Sequence, residues 1–183
     1  MSTRCQVRFI EKGSDRVAQV YRHSDGYPES VLSLLEHQQE LLHATGTLRD
    51  ASYAASQFTF IDKLWYMERT FCRRDDVYTD LPDSVAGVLE RENWQEKRVT
   101  PSYLLGHGVE DPSRGIHGDE EYIYVVQLPT RGPFEEPDDW NIKISEHRGF
   151  PRWEDDTEQA FEVAEWQFEG TLERAIERFG SDD

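Results

Sequence analysis

Residues 5–22 read CQVRFIEKGSDRVAQVYR, two alternating stretches on either side of a polar turn. In the first stretch, apolar Cys5, Val7 and Phe9 alternate with polar neighbours. A period of two is typical of a half-buried β-strand, and the second stretch repeats the alternation from Val17 onward. Because the turn between the stretches is short and consists of one glycine and polar residues, the sequence predicts an antiparallel β-hairpin.

The segment after this hairpin predicts a tight connection into a helix. Gly26 accepts positive φ angles, Tyr27 is held extended because it precedes proline, and Pro28 suits a first helical turn. Gly46 is placed to end this helix, and Asp50 is placed to cap a second one. Apolar residues at helical spacing define both helices: Val31, Leu34, Leu35, Leu41 and Leu42 in the first, and Ala51, Ala54, Ala55, Phe58, Ile61, Leu64 and Trp65 in the second.

The second half of the chain begins with a loose pattern. Residues 75–120 are predicted to be irregular, and residues 106–119 hold four glycines and one proline, which favours a long loop. Stretches rich in β-branched and aromatic residues at 121–128 and 140–145 predict a second hairpin. A C-terminal helical segment is predicted at about 155–180, with a capping box at its start and a glycine placed to kink or divide it.

The order of these elements indicates the fold class. Runs of strands and runs of helices, without strict alternation, predict an α+β fold with an antiparallel sheet. Since an isolated hairpin is barely stable in water, the two hairpins are expected to join in one sheet of about four strands, covered by the two central helices. Residues 1–183 are therefore predicted to form a single α+β domain with a C-terminal helix.

The charge balance limits the classes of function. The chain has 37 Asp and Glu residues against 20 Lys and Arg residues, a net charge of −17. This excludes a protein that coats duplex nucleic acid through a basic surface. Four of the basic residues are lysines and the rest are arginines, a bias expected in a salty cytosol, where strong salt screens the negative charges. The alternative is an acidic patch that meets a basic partner or imitates nucleic acid.

Further features favour a reduced, cytoplasmic protein without membrane contact. Residues 1–4 lead directly into the first strand, without the apolar region of a secretion signal. The longest apolar runs, such as residues 122–126, are far short of the roughly twenty residues that cross a bilayer. Cys5 and Cys72 form no CxxC motif, and no glycine-rich nucleotide-binding motif occurs. Apart from a divalent metal, no cofactor is predicted.

The most distinctive local cluster is His23 with Asp25, after the first hairpin. If the strand continues through them, both side chains project from one face, where they could hold a metal ion or a phosphate or act as an acid–base pair. The structural alternative is that Asp25 bonds within its own turn and Gly26 supplies the required backbone angle. Turn chemistry accounts for Asp25 but leaves His23 unexplained.

The second candidate is the glycine-rich loop. If it folds back over the end of the sheet, its histidine and aspartate side chains would join His23 and Asp25 around an ion such as Zn²⁺ or Mn²⁺. Because no fixed metal signature such as HExxH is present, solvated surface histidines remain the alternative. The candidate binding residues are His23, Asp25, Tyr27, His107, His117 and Asp119, of which His23, Asp25, His117 and Asp119 are the candidate metal ligands.

Two stretches of the chain carry a resemblance to known proteins. Residues 21–29 read YRHSDGYPE, and residues 118–126 read GDEEYIYVV. They resemble a family of small uncharacterised proteins of haloarchaea, phages and mobile elements, which have a His-x-Asp-Gly-Tyr-Pro turn after the first hairpin and a later tyrosine-rich strand. The resemblance does not cover the middle of the chain. It implies a haloarchaeal origin and a shared fold, and it assigns no catalytic residue.

These observations favour a salt-adapted cytoplasmic accessory protein that binds a protein partner, in a viral or mobile-element context. The alternative is a metal-dependent hydrolase in which His23 and His117 are ligands and Asp25 or Asp119 is a ligand or general base. A third class, a mimic of nucleic acid, requires carboxylates in rows spaced like phosphates.

Overall fold

The first hairpin has the predicted strands, β1 at Cys5–Glu11 and β2 at Val17–Arg22. The computed structural model describes residues 3–73, 107–116, 120–129, 140–146 and 165–180. The two strands pair antiparallel, with Cys5 opposite Arg22. Gly13 in the turn has a φ angle of 77°, a conformation that glycine adopts without steric cost. The hairpin prediction is therefore confirmed.

Two helices follow, and both start where the sequence predicts. Helix α1 spans Pro28–Thr45, starts with its proline in the first turn, and is closed by Gly46 at a left-handed φ of 60°. Helix α2 spans Ala51–Arg73. The Asp50 carboxylate accepts a hydrogen bond of 2.8 Å from the N–H of Tyr53, so Asp50 is the N-cap of α2.

All described strands belong to one six-stranded sheet. The remaining strands are β3 at His107–Glu110, β4 at Tyr122–Leu128, β5 at Asn141–Glu146 and β6 at Phe168–Thr171. The order across the sheet is β3-β2-β1-β4-β5-β6. Strands β1 to β3 form one antiparallel meander and β4 to β6 form another, and β1 pairs with β4 in parallel.

The α+β class is confirmed, but the predicted sheet of about four antiparallel strands is wrong in strand number and in one pairing. The two added strands are four residues long, and each contains a glycine that interrupts any alternation. The parallel pairing is possible because a long connection that includes α1 and α2 separates β1 from β4, and parallel neighbours require such a crossover.

Two boundaries also change. Part of the predicted irregular segment is ordered, since it contains β3 and a short 3₁₀ helix at Pro112–Arg114. The helix predicted at about 155–180 is wrong at Phe168–Thr171, where the chain forms β6 with Gly170 inside it; helix α3 begins only at Leu172 and runs to Phe179. The predicted capping box at 155–158 lies outside the described residues.

The main core lies between one face of the sheet and the helices. Its largest fully buried side chains include Phe9 and Tyr124 from the strands, Trp140 directly before β5, and Phe58 from α2. The Phe9 and Phe58 rings meet edge to face at 5.7 Å. In the described part of the chain, no helix combines the length and the apolar character needed to cross a bilayer.

On the opposite face, two buried glutamines hold β3 and the 3₁₀ segment against the sheet. The side-chain nitrogens of Gln6 and Gln19 donate to the same carboxylate oxygen of Glu110, at 2.7 and 3.1 Å. Both nitrogens also donate to the carbonyl of Gly115, at 3.1 and 3.0 Å. The two buried amide nitrogens are thereby satisfied by contacts that fix the end of the sheet, whereas Gln6 Oε1 has no hydrogen-bond partner among the described residues.

Candidate functional site

A buried charged cluster joins the β3 end of the sheet to α2. Arg22, the last residue of β2, and His107, the first residue of β3, lie directly opposite each other. Both reach Asp62 on α2. Arg22 binds the carboxylate with two parallel hydrogen bonds, from Nε to Oδ2 at 3.0 Å and from Nη2 to Oδ1 at 2.8 Å. His107 Nε2 contacts Oδ2 of the same carboxylate.

The cluster also fixes the turn that the sequence singled out. The Arg22 Nη1 group donates to the carbonyl of Asp25 and, at 3.2 Å, to the hydroxyl of Ser30 at the start of α1. One guanidinium therefore connects β2, the turn, α1 and α2. The side chains of Arg22, Asp62 and His107 are each exposed by no more than 8%.

The protonation states follow from burial and pairing. Burial acts to raise the pKa of Asp62, but the hydrogen bond from His107 and the positive charge of Arg22 outweigh it, so the pKa lies below its usual value. Burial lowers the pKa of His107, although the Asp62 carboxylate acts in the opposite direction. At neutral pH, Asp62 is an anion and His107 is a neutral imidazole.

A neutral His107 places its proton on Nε2, which faces the carboxylate. Its Nδ1 is then a buried acceptor, and it has no hydrogen-bond partner among the described residues. An aspartate that orients a histidine in this way is an arrangement used in general-base catalysis. Nearby Cys5 supplies no activated nucleophile, because complete burial raises the pKa of its thiol and keeps it protonated.

Backbone contacts hold the turn at Asp25 and Gly26. Asp25 adopts a left-handed φ of 56°, a conformation that aspartate tolerates better than most residues. Gly26 donates its N–H to the carbonyl of Thr3 at 2.9 Å and accepts the Tyr124 hydroxyl at 2.8 Å. Tyr27 is the residue before the first turn of α1. The turn is thus held by backbone contacts, but the left-handed angle lies at Asp25 and not at Gly26, where the structural alternative placed it. Gly26 is required instead by its close approach to β1.

The histidines predicted to share a site are placed differently. His23 Nδ1 lies 3.0 Å from the hydroxyl of Tyr21. His107 belongs to the charged cluster, and His117 and Asp119 lie outside the described residues. Within the described ranges, no group of three or more His, Cys, Asp or Glu side chains is arranged to hold a metal ion. The metal site at His23, Asp25, His117 and Asp119 stays a prediction.

Sequence reasoning missed Arg22 and Asp62, although both carry a recognisable signal. Asp62 falls one residue after Ile61 and four after Phe58, inside the apolar stripe of α2. Arg22 shares the core-facing parity of Ala18 and Val20 in β2. Because a buried charge needs a partner, a cation on the core-facing side of β2 and an anion on the core-facing side of α2 are expected to pair with each other.

Val109, on the outer edge of β3, is the most exposed large apolar side chain among the described residues. Val109 is 81% exposed, in the strand that ends this side of the sheet within the described residues. Two further exposed apolar side chains, Phe60 at 55% and Leu64 at 43%, lie one turn apart on α2. An exposed edge strand can pair with another chain, and a contiguous exposed apolar patch can mark a contact surface.

Comparison of this chain with protein-family models, with curated proteins and with solved structures gives no match. The assignment of a function therefore depends on the geometry of the described residues.

Proposed function

We propose that this protein is a salt-adapted cytoplasmic accessory protein that acts by binding a protein partner, in a viral or mobile-element context. The observation that carries the proposal is Val109, 81% exposed on the last described strand of a sheet. A β-branched side chain gains free energy when a partner covers it, and a sheet edge offers unpaired main-chain groups beside it.

The exposed side chains on α2 support the same function. Phe60 and Leu64 are separated by four residues and therefore lie on one side of the helix. Large apolar side chains contribute strongly to protein contacts when a partner removes them from water. Helix α2 is tied to the sheet through Asp62, so both exposed regions belong to one rigid support.

The acidity of the chain bears on the choice of partner. At a net charge of −17, long-range electrostatics favours a basic partner and opposes an acidic one. Salt adaptation accounts for the same acidity through screening. The two accounts make different predictions about added salt. If the acidity attracts a basic partner, salt weakens the binding of that partner. If the acidity is salt adaptation, salt raises the stability of the folded chain.

Affinity capture with a matched pair of variants tests the proposal. The full chain is used as bait in extract of its native cells, together with Val109→Asp and Val109→Thr. We expect a partner that binds the wild-type protein and Val109→Thr but not Val109→Asp, and that binds the purified chain in isolation. If every captured protein is retained equally by Val109→Asp, the proposed binding function fails.

The same purified protein is used to test the alternative function, a metal-dependent hydrolase. Purified protein is analysed for bound metal, and its melting temperature is measured with and without added Zn²⁺ or Mn²⁺. A ligand that binds the folded state raises the melting temperature, so a bound metal together with a shift would favour the predicted site at His23 and His117.

A further inference from the structure

We propose that the outer edge of β3, which pairs with no other described strand, binds an extended, basic segment of the partner protein, which adds to the sheet as an antiparallel strand. This inference rests on the proposed binding function and names the chemistry of the partner. The strand His107–Glu110 supplies the edge, and Val109 is its central contact.

The direction of the main-chain groups of β3 follows from the hairpin. In an antiparallel pair, residues that exchange hydrogen bonds alternate with residues that do not. Glu11 N–H donates to the Arg16 carbonyl at 3.3 Å, so every second pair from there along the hairpin is hydrogen-bonded. The main-chain groups of Val20, opposite Val7, therefore point to β1.

The intervening residues of β2 point the other way, toward β3. These are Gln19 and Tyr21, which lie opposite Glu110 and Gly108. The N–H and C=O groups of Glu110 and Gly108 therefore face β2, and those of Val109 face away from the sheet. Val109 thus offers both a main-chain donor and a main-chain acceptor to an added strand, beside its exposed side chain.

The side chains of the edge select the chemistry of the added segment. An apolar residue fits opposite Val109, because the pair removes apolar surface from water. Glu110 ends the strand and Asp111 follows it; both are acidic, and Asp111 is exposed. In an antiparallel strand, the residues opposite these two precede the apolar residue, so basic side chains fit there and agree with the net charge of −17.

The edge is fixed before any partner arrives. At one end of β3, His107 is held by Asp62, and at the other, Glu110 accepts hydrogen bonds from Gln6 and Gln19. A binding surface that is already ordered loses less conformational entropy on association. Both ends of the short strand are thereby held in the geometry that an added strand requires.

A peptide pair and a variant pair test the proposal. The probe is the capped pentapeptide Lys-Arg-Val-Thr-Val, and its control carries proline at the central valine, which removes the N–H needed for pairing. The protein variants are Val109→Pro, which removes the outward N–H without removing a bond to β2, and Val109→Thr, which keeps the N–H and the β-branched shape. Binding of labelled peptide to the full chain is measured by fluorescence anisotropy.

We expect the probe to bind the wild-type protein and Val109→Thr, and Val109→Pro to raise its Kd about tenfold, the effect of one main-chain hydrogen bond. The proline control should bind less tightly than the probe. Circular dichroism and melting curves of Val109→Pro should match those of Val109→Thr, since proline is tolerated on edge strands.

Several outcomes would overturn the inference. They are the absence of probe binding, equal binding of probe and proline control, and equal binding by Val109→Pro and Val109→Thr. A dimer of the wild-type chain that Val109→Pro abolishes, seen by light scattering, would assign the edge to a second copy of the chain. If affinity capture still finds a Val109-dependent partner while the peptide does not bind, the binding function stands and the strand-addition inference fails.

Discussion

Arg22, Asp62 and His107 bring a cation, an anion and a neutral imidazole together in a part of the protein with almost no access to water. Both oxygens of the Asp62 carboxylate are bonded to Arg22. Desolvating a charge is costly, so the cluster stabilises the fold only while all its partners are present. Its contribution is therefore best seen by removing one member.

The substitution Asp62→Asn should lower the free energy of unfolding by about 3–5 kcal/mol, because the buried Arg22 charge then has no counter-ion. Urea denaturation of both proteins measures the difference. The matched control is Glu169→Gln, which breaks the exposed ion pair with Lys143, of 2.9 Å, and should cost no more than about 1 kcal/mol. Equal effects of the two substitutions would show that the buried cluster adds no special stability.

The same cluster predicts a loss of stability in acid. The pKa of His107 lies below its ordinary value of 6.5, so below that pH the unfolded chain takes up a proton that the folded chain excludes. The pKa of Asp62 lies below 3.8, and its ion pair adds stability that is lost as the pH falls through the folded-state pKa. The free energy of unfolding should therefore fall first below about pH 6.5 and again in stronger acid.

Urea unfolding at a series of pH values measures this dependence. The control is His107→Gln, which removes one titrating group and should flatten the slope between about pH 7 and pH 5 relative to the wild-type protein. Parallel slopes for the two proteins would contradict the assignment of a neutral, buried His107.

Gly26 is the residue where the turn and β1 approach most closely. A Cβ atom added at Gly26 would lie 2.7 Å from the Cβ of Cys5 and 2.8 Å from the backbone of Arg4. Gly26→Ala should therefore destabilise the protein by about 1–3 kcal/mol or more, as overpacking does in cores. Thermal and urea unfolding measure the effect.

Gly108→Ala is the matched control for this substitution. The nearest atom to a Cβ at Gly108 is the Cβ of Tyr21, at 4.0 Å, which is an ordinary contact. Its free energy of unfolding should stay within about 0.5 kcal/mol of the wild-type value. A comparable loss at both glycines would mean that strand or turn propensity, and not the close approach to β1, sets the cost.

At the scale of elements, helix α2 depends on its first turn. The cap from Asp50 satisfies the N–H of Tyr53, and the carboxylate of Glu11 accepts the N–H of Ala51 at 3.0 Å. The second bond comes from the end of β1, so the helix start is fixed to the sheet. Two otherwise unsatisfied helix donors are thereby paired.

Asp50→Ala should lower the free energy of unfolding by about 1 kcal/mol, since it removes an N-cap. Urea denaturation measures the change, and far-ultraviolet circular dichroism checks the helix content. The control is Ser56→Ala, an exposed position within α2, which should leave stability unchanged or raise it by about 0.5 kcal/mol, since alanine has the higher helix propensity. A larger loss at Ser56 than at Asp50 would contradict the cap.

At the scale of the whole molecule, the net charge of −17 sets the response to salt. Repulsion among exposed carboxylates opposes the compact state, and the screening length falls from about 10 Å at 0.1 M salt to about 3 Å at 1 M. The free energy of unfolding in urea should therefore rise with added KCl. A stability that is constant or falls with KCl would contradict salt adaptation.

A charge-reduced variant provides the control. Replacing exposed Asp15→Asn, Glu40→Gln and Glu177→Gln removes three negative charges, which changes the net charge from −17 to −14. Its stability should depend less on KCl than that of the wild-type chain, because less repulsion remains to be screened. Identical salt dependence would assign the effect to the general action of salt on apolar surface.

The sequence by itself determined the features that depend on near neighbours. The first hairpin, the start of α1 at Pro28, its end at Gly46 and the cap at Asp50 were all predicted, because each is fixed by backbone angles and hydrogen bonds within a few residues. The strands β4 and β5 were predicted for the same reason, from their β-branched and aromatic residues.

The tertiary structure alone decided how these elements meet. The parallel pairing of β1 with β4, the addition of the short strands β3 and β6, and the meeting of Arg22, Asp62 and His107 join residues that are far apart in the chain. Local patterns record which face of an element is buried, but not which distant element covers it. That choice is made by the packing of the complete core and by the need of each buried charge for a partner.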